Sequence, residues 1–154
     1  MNKVEPIIGA DAGVADPHDP CSCLNDFYRA FNRQDLVLMA ANWLQTAEAS
    51  MSNPLGDVHR GWSAIAAVYE RIFYGSARVY VEFHDYSLHV GAEMFCAVGR
   101  ERGHVELGGE RIDLAIRTSR VYRRDSRGWR QLHHHGSIDD AALLARYQEL
   151  VKRK

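Results

Sequence analysis

Three consecutive histidines, His133, His134 and His135, are the densest concentration of acid–base chemistry in the chain. An imidazole titrates near neutral pH, so each could accept or return a proton. They follow Trp129 in a run with strand character. Twofold alternation sends His133 and His135 to one face and His134 to the other, so the three cannot serve one metal ion. By the same alternation Leu132 shares the face of His134, and an apolar neighbour marks that face as the inward one. His134 is therefore the pocket candidate, as acid, base or hydrogen-bonded structural histidine. His133 and His135 would turn outward towards a partner sheet. A metal would need further ligands, and His59 and His84 are the only candidates, so no metal or other cofactor is expected.

A second set of residues could build walls rather than move protons. Trp43, Met51, Trp62, Tyr69 and Phe73 are large apolar side chains, most of them on helical stripes that serve equally as plain core or as the lining of a ligand cavity. Cys21 and Cys23 are too close in sequence for an easy bridge. With Cys96 they make three cysteines, an odd count that argues for free thiols and a reducing compartment.

The whole chain bounds what these residues can be part of. Its 154 residues suit one domain, large enough to bury a core without a metal or disulfide. Nineteen basic against 20 acidic residues give a net charge of −1, which draws the protein neither to nucleic acid nor to an anionic membrane. The basic run at 117–130 contains Asp125 and reads as one face of a hairpin. The start lacks a basic stretch followed by an apolar core, and no apolar run approaches about 20 residues. A cytoplasmic protein without membrane or nucleic-acid partners is the expectation.

The elements that must position the candidates follow from periodicity. Residues 1–20, with three prolines, two glycines and three aspartates, read as an extended or mobile, flexible arm before a domain at 21–154. Leu24, Phe27, Tyr28 and Phe31 form one helical face. Asp35 is placed to cap a second helix bearing Leu36, Met39, Ala40, Trp43 and Leu44. A short strand at 50–52 and a turn at 53–56 precede a third helix, with Trp62, Ile65, Ala66, Tyr69, Ile72 and Phe73 on one stripe and Gly75 at its end. The period then changes to two. Strands are expected at 78–90, 93–102, 112–124 and 129–135, joined by short turns as an antiparallel meander. Ser137 and Asp140 have capping-box spacing before a closing helix carrying Leu143, Tyr147, Leu150 and Val151. The order predicts an α+β fold in which three N-terminal helices cover a curved antiparallel sheet, with a C-terminal helix added. Curvature leaves space between the layers, where ligand pockets occur.

Several segments resemble one family. Phe27-Tyr28-Arg29-Ala30-Phe31-Asn32 followed by Asp35-Leu36 is similar to the opening of ketosteroid isomerases and SnoaL-like polyketide cyclases. Asn53-Pro54-Leu55-Gly56 followed by Arg60-Gly61-Trp62-Ser63-Ala64-Ile65 resembles the strand, turn and helix start of the same group. Residues 119–125 and 128–137 resemble the last hairpin of the SnoaL-like branch and that of the calmodulin-dependent protein kinase II association domain. The match spans about residues 21–137 of a single domain. The resemblance places the chain in the nuclear transport factor 2-like superfamily, ketosteroid isomerase-like, and implies a cone-shaped half-barrel, usually a homodimer, with an apolar cavity for a small-molecule ligand. That superfamily spans isomerases, dehydratases, epoxide hydrolases, cyclases, transport adaptors and assembly modules, so the fold does not select the chemistry.

Set against the steroid isomerases, this chain departs at every catalytic position. Those enzymes use an aspartate base with an oxyanion hole of a tyrosine and a protonated aspartic acid. Asn53 stands where the resemblance would put the base, and an amide does not take a proton from carbon at neutral pH. The tyrosine position falls on Phe27, with Tyr28 one residue and about 100° away around the helix. The second acid is replaced by Arg120. Steroid isomerase chemistry is therefore not expected. Arg120 under an apolar roof would favour a carboxylate, phosphate or enolate, or else pair with Glu101, Glu106 or Asp113. The Asp-Arg-Asp set of limonene epoxide hydrolases is not matched, since Asp85 and Asp113 are only loosely placed. Two functions stay open. One is an acid–base enzyme with His134, Arg120 and Tyr28 as catalytic residues, Asn53 orienting an apolar, anionic or enolisable substrate. The other is a non-catalytic ligand-binding or homo-oligomerisation module.

Overall fold

Period-two alternation in the second half of the chain becomes one curved, unclosed sheet in the computed structural model, which describes residues 4–11 and 13–153. Its long strands are β3 (Arg78–Val90), β4 (Met94–Leu107), β5 (Glu110–Asp125) and β6 (Gly128–Ser137). They form the expected antiparallel meander. Two short strands, β1 (Ser50–Ser52) and β2 (His59–Arg60), extend it to the order β2-β1-β6-β5-β4-β3. β1 runs parallel to β6, with Met51 opposite His134, so the sheet is mixed at that edge.

One face of the sheet is apolar because alternate residues turn to it. Val79, Val81 and Phe83 of β3, Phe95, Ala97 and Val105 of β4, and Ile112, Leu114 and Ile116 of β5 are all buried. The cover comes from α1 (Pro20–Arg33), α2 (Leu36–Asn42) and α3 (Trp62–Tyr74). α1 contributes Leu24, Phe27 and Tyr28, and α3 contributes Ile65, Val68, Tyr69 and Phe73. Burial of an aliphatic or aromatic side chain contributes about 1.5–3 kcal/mol, so these stripes hold the layers together. A fourth helix, α4 (Ala141–Lys152), closes the remaining end with Tyr147 and Leu150 inward. Gly103 in β4 allows β3 to come close, since a Cβ there would lie 1.8 Å from the Tyr80 carbonyl oxygen.

Aspartates cap three of these helices. Asp19, Asp35 and Asp140 accept from the amides of Ser22, Leu38 and Leu143 at 2.8, 2.9 and 3.0 Å. The cap of α4 is thus Asp140, not Ser137, which still belongs to β6. α2 ends two residues before its stripe does, and Trp43 leaves the helix in extended conformation to bridge Gln131. Ile7 and Phe83 exchange both backbone hydrogen bonds at 2.9 Å, and the Asn25 amide clasps both backbone groups of Ala10. Further on, Pro17 and His18 carbonyls accept from the backbone and indole N–H of Trp129.

Candidate functional site

The inward face of the sheet is apolar except at one place. There Glu101 of β4, Thr118 and Arg120 of β5, and Gln131 and His134 of β6 are all buried. Arg120 donates to Glu101 Oε1 at 2.6 Å, to Gln131 Oε1 at 2.7 Å and to the Tyr28 hydroxyl at 3.2 Å. Tyr28 donates in turn to the same Glu101 oxygen at 2.8 Å. The guanidinium carbon lies 3.5 Å from the centre of the Phe27 ring, a cation–π contact from the α1 side. Burial works against the Arg120 charge, but the facing Tyr28 and Glu101 oxygens more than offset it, leaving its pKa above the usual arginine value. Of the two readings open for Arg120, the pairing with Glu101 is the one present.

The network continues behind the guanidinium. Gln131 Nε2 donates to Asn42 Oδ1 at 3.2 Å, Tyr122 donates to the same oxygen at 2.8 Å, and Asn42 Nδ2 donates to the Cys23 carbonyl at 2.8 Å. Three strands and two helices are thereby tied to one orientation of Arg120. Low dielectric strengthens each bond and makes each missing partner costly.

In front of Arg120 lies a cavity of about 50 Å³. Arg120, Glu101 and His134 line its polar side, and Phe27, Phe31, Ile72, Val81 and Ile116 its apolar side. Met51, Asn53, Tyr69 and Tyr147 also reach it. A wider outer cavity of about 370 Å³ shares Asn53, Leu55, Ile72 and Val79 with it, and opens between α3, α4 and the β1–β2 turn. Gln148 of α4 donates to the Pro54 carbonyl at 3.1 Å, tying helix to turn.

Two buried polar atoms at the inner cavity's residues, the Tyr69 hydroxyl and His134 Nδ1, have no hydrogen-bond partner among the described residues. Such atoms cost about 1–3 kcal/mol when nothing satisfies them. Burial raises the Tyr69 pKa, opposed in part by Arg120 and the Trp43 indole, so this is a neutral phenol. Burial and then the Arg120 charge hold His134 well below the usual histidine value, so it is a neutral imidazole at pH 7. Its ring fits tightly, since a Cβ on Gly136 would stand 3.3 Å from His134 Nε2 and from Pro54 Cδ.

The other sequence candidates take varied places. Met51, Asn53 and Tyr69 line the inner cavity, but the Asn53 Oδ1 accepts from the Leu55 amide at 3.1 Å and so shapes the turn. Tyr28 lies behind Arg120 and bears on the cavity through Glu101 and Arg120. Trp43, Trp62 and Phe73 stack around Tyr69 without lining the inner cavity: Trp43 and Phe73 lie 6.3 and 5.8 Å from its ring, and Trp62 packs on Trp43 at 6.4 Å. His133 faces outward and bonds Ser50 Oγ at 2.7 Å, and His135 is exposed. Among the described residues no group of three metal-ligating side chains is assembled. No helix there is long and apolar enough to cross a membrane.

Leu132 is not the inward companion of His134. The β5–β6 register shifts between Val121, opposite His133, and Tyr122, opposite Gln131, so Leu132 is the extra residue of a β-bulge. Both Gln131 and His134 therefore turn inward. Strict alternation hid Gln131. Glu101 was legible as the acid among the inward positions Phe95, Ala97 and Val105 of β4, but only the packed sheet selects it over Glu106 and Asp113.

A family model of the SnoaL-like domain matches residues 21–141. The chain belongs to the SnoaL-like domain family. Among solved structures it is similar to a candidate calcium/calmodulin-dependent protein kinase type II association domain from Thiobacillus denitrificans. The two are 27% identical with a TM-score of 0.68, over 78% of this chain and 94% of that one. It also resembles a candidate dehydratase of the nuclear transport factor 2-like family from Streptomyces avermitilis, 21% identical with a TM-score of 0.70, over 77% and 93% of the two chains. A nuclear transport factor 2-like superfamily protein from Salmonella enterica is 22% identical with a TM-score of 0.65, over 75% and 84%. No curated protein matches. These likenesses show that this SnoaL-like domain shares its fold with nuclear transport factor 2-like proteins.

Two outcomes follow from the geometry. Arg120→Met strands the Glu101 carboxylate and should cost about 3–5 kcal/mol in urea unfolding. Arg120→Met combined with Glu101→Leu should cost less than Arg120→Met alone; an additive loss would mean the pair is not coupled. For His134, the folded pKa lies below the ordinary 6.5. Its contribution to stability is therefore complete above that pH and lost as pH falls towards the folded value. The unfolded chain takes up the extra proton first, so stability drops by up to about 1.4 kcal/mol per pH unit. His134→Gln should flatten the urea-unfolding profile between about pH 6.5 and pH 5, beyond any residual slope from His133, which is shifted the same way. An unchanged slope would contradict the burial of a neutral His134.

Proposed function

We propose that this chain binds an apolar small molecule whose polar end enters the inner cavity, and that it moves a proton on that molecule. The observation that carries the reading is the convergence of a fixed guanidinium, a neutral imidazole and a neutral phenol on one cavity, two of them with unsatisfied buried atoms. Preorganised donors in a dry site stabilise charge that develops on a substrate oxygen better than water does.

On an enolisable carbonyl compound the steps balance without a further reagent. Neutral His134 takes a proton from the carbon beside the carbonyl. The C–H electron pair becomes the carbon–carbon double bond, and the carbonyl π pair moves to oxygen as an enolate. Arg120 and Tyr69 stabilise that oxygen. The imidazolium returns its proton to carbon. Tyr28 and Glu101 hold Arg120 in place, and Asn53, whose Nδ2 is not used by the turn, can orient the substrate. A depressed pKa keeps His134 in the proton-accepting form at pH 7 but lowers its driving force, which suits an activated carbonyl better than a simple ketone.

A second reading, a homodimer in which the cavity only holds a ligand, draws support from the outward sheet face. Met94 and Val98 of β4 are exposed there, with Arg100 and Arg117 directly opposite one another across β4 and β5. Dimerisation by itself would leave the inner cavity untouched, so the readings part only on whether the bound molecule exchanges a proton.

Proton exchange in heavy water separates them. NMR should show wild-type protein exchanging the activated α-protons of ethyl acetoacetate, and His134→Gln should slow this at least about 100-fold, the low end for a general base. Equal exchange by both proteins would leave binding without catalysis.

A further inference from the structure

The polar floor of the inner cavity carries no free charge. Glu101 answers Arg120 at 2.6 Å, both are almost fully buried, and no other acid or base reaches the inner cavity except neutral His134. We infer that the ligand's polar end is an uncharged, hydrogen-bond-accepting oxygen, such as a carbonyl, and not a carboxylate or phosphate. This rests on the cavity being a ligand site and says what chemistry it selects.

The argument is one of partners and charge. A carboxylate entering beside Arg120 would also enter beside the Glu101 carboxylate, which already holds that guanidinium together with the Tyr28 hydroxyl. Displacing Glu101 would leave it buried and unpaired, the costly half of a broken ion pair. A neutral oxygen needs no such exchange. Arg120 uses three of its five N–H groups on Tyr28, Gln131 and Glu101 and keeps two. The Tyr69 hydroxyl adds a further unpaired donor. Glu101 Oε2 stays an acceptor, but the N–H groups left on Arg120 and the Tyr69 O–H can each donate to a ligand oxygen, so an accepting oxygen fits this wall.

Size narrows the class. The inner cavity, about 50 Å³, is several times smaller than the outer one, so it receives the small polar end of a ligand and not its body. The body of the ligand would lie in the outer cavity of about 370 Å³, whose apolar wall is Leu55, Val68, Ile72, Ala77, Val79 and Val151 and whose polar lining includes Asp57, His59, Arg71 and Lys152. That volume falls within the range of about 300–1,000 Å³ usual for ligand clefts. The class is an elongated, apolar molecule with a small neutral carbonyl at one end.

Two matched pairs test this by calorimetry: benzylacetone against hydrocinnamate, and methyl octyl ketone against nonanoate. Each pair differs only in exchanging a methyl for a charged oxygen. The ketones should bind wild-type protein at least tenfold more tightly than the carboxylates, and Tyr69→Phe should weaken the ketones severalfold. Glu101→Gln, which keeps the shape of the side chain and removes its charge, should reverse the order, with folding checked by circular dichroism. Wild-type protein that prefers the carboxylates overturns the charge assignment and leaves the cavity as a ligand site. Ketone preference that persists in Glu101→Gln also overturns it, because selectivity then comes from shape alone. Failure of all four compounds to bind overturns both this inference and the ligand-site reading beneath it.

Discussion

A buried ion pair between neighbouring strands, Arg120 with Glu101, is the interaction on which the interior of this protein turns. Taking both charges out of water costs several kcal/mol per ion before their attraction is counted. The fold therefore surrounds the pair with groups that complete it: the Tyr28 hydroxyl, the Gln131 amide and the face of the Phe27 ring. Tyr28 and Phe27 are neighbours on α1 and Gln131 lies on β6, so the pair also fixes how α1 sits on the sheet. Asn42 extends the same constraint to α2 through Gln131 and Tyr122.

That constraint accounts for the character of the cavity. A lone arginine under an apolar roof would make an anion site. An arginine already answered by a carboxylate makes a rigid, neutral, donor-rich wall. His134 is kept neutral by burial and by the same guanidinium, so the site gains a proton acceptor without gaining charge. α4 and the turn at Pro54 and Leu55 then enclose the space, and Tyr147 reaches in from the helix.

Much of this fold was legible from periodicity. The third helix and the strand at 78–90 were bounded by their glycines and by the change of period, and the meander followed from short turns. Helix caps read well wherever an aspartate preceded an apolar stripe, as at Asp35, and less well at Ser137, where two polar residues competed and only one lay beyond the strand. The site was half legible. Arg120 stood out because the resemblance sets it where the isomerases carry an acid, and His134 because alternation turned it inward, although by way of Leu132, which the bulge leaves unpaired. Gln131 did not, because the bulge at Leu132 breaks the alternation that would have revealed it. Trp43, Trp62 and Phe73 looked like cavity walls because aromatic stripes do not say which ring is nearest the ligand. Packing around Tyr69 makes that choice, and it depends on all three layers.

The most direct test of the account is a crystal structure of the protein with a bromine-labelled benzylacetone, located by the anomalous signal of the bromine. The account predicts the carbonyl oxygen within hydrogen-bond distance of the Tyr69 hydroxyl or an Arg120 N–H, the bromophenyl ring among Leu55, Val68 and Ile72, and the Arg120–Glu101 pair intact. A ligand that parts Arg120 from Glu101, or one seated only outside the cavity, would contradict it.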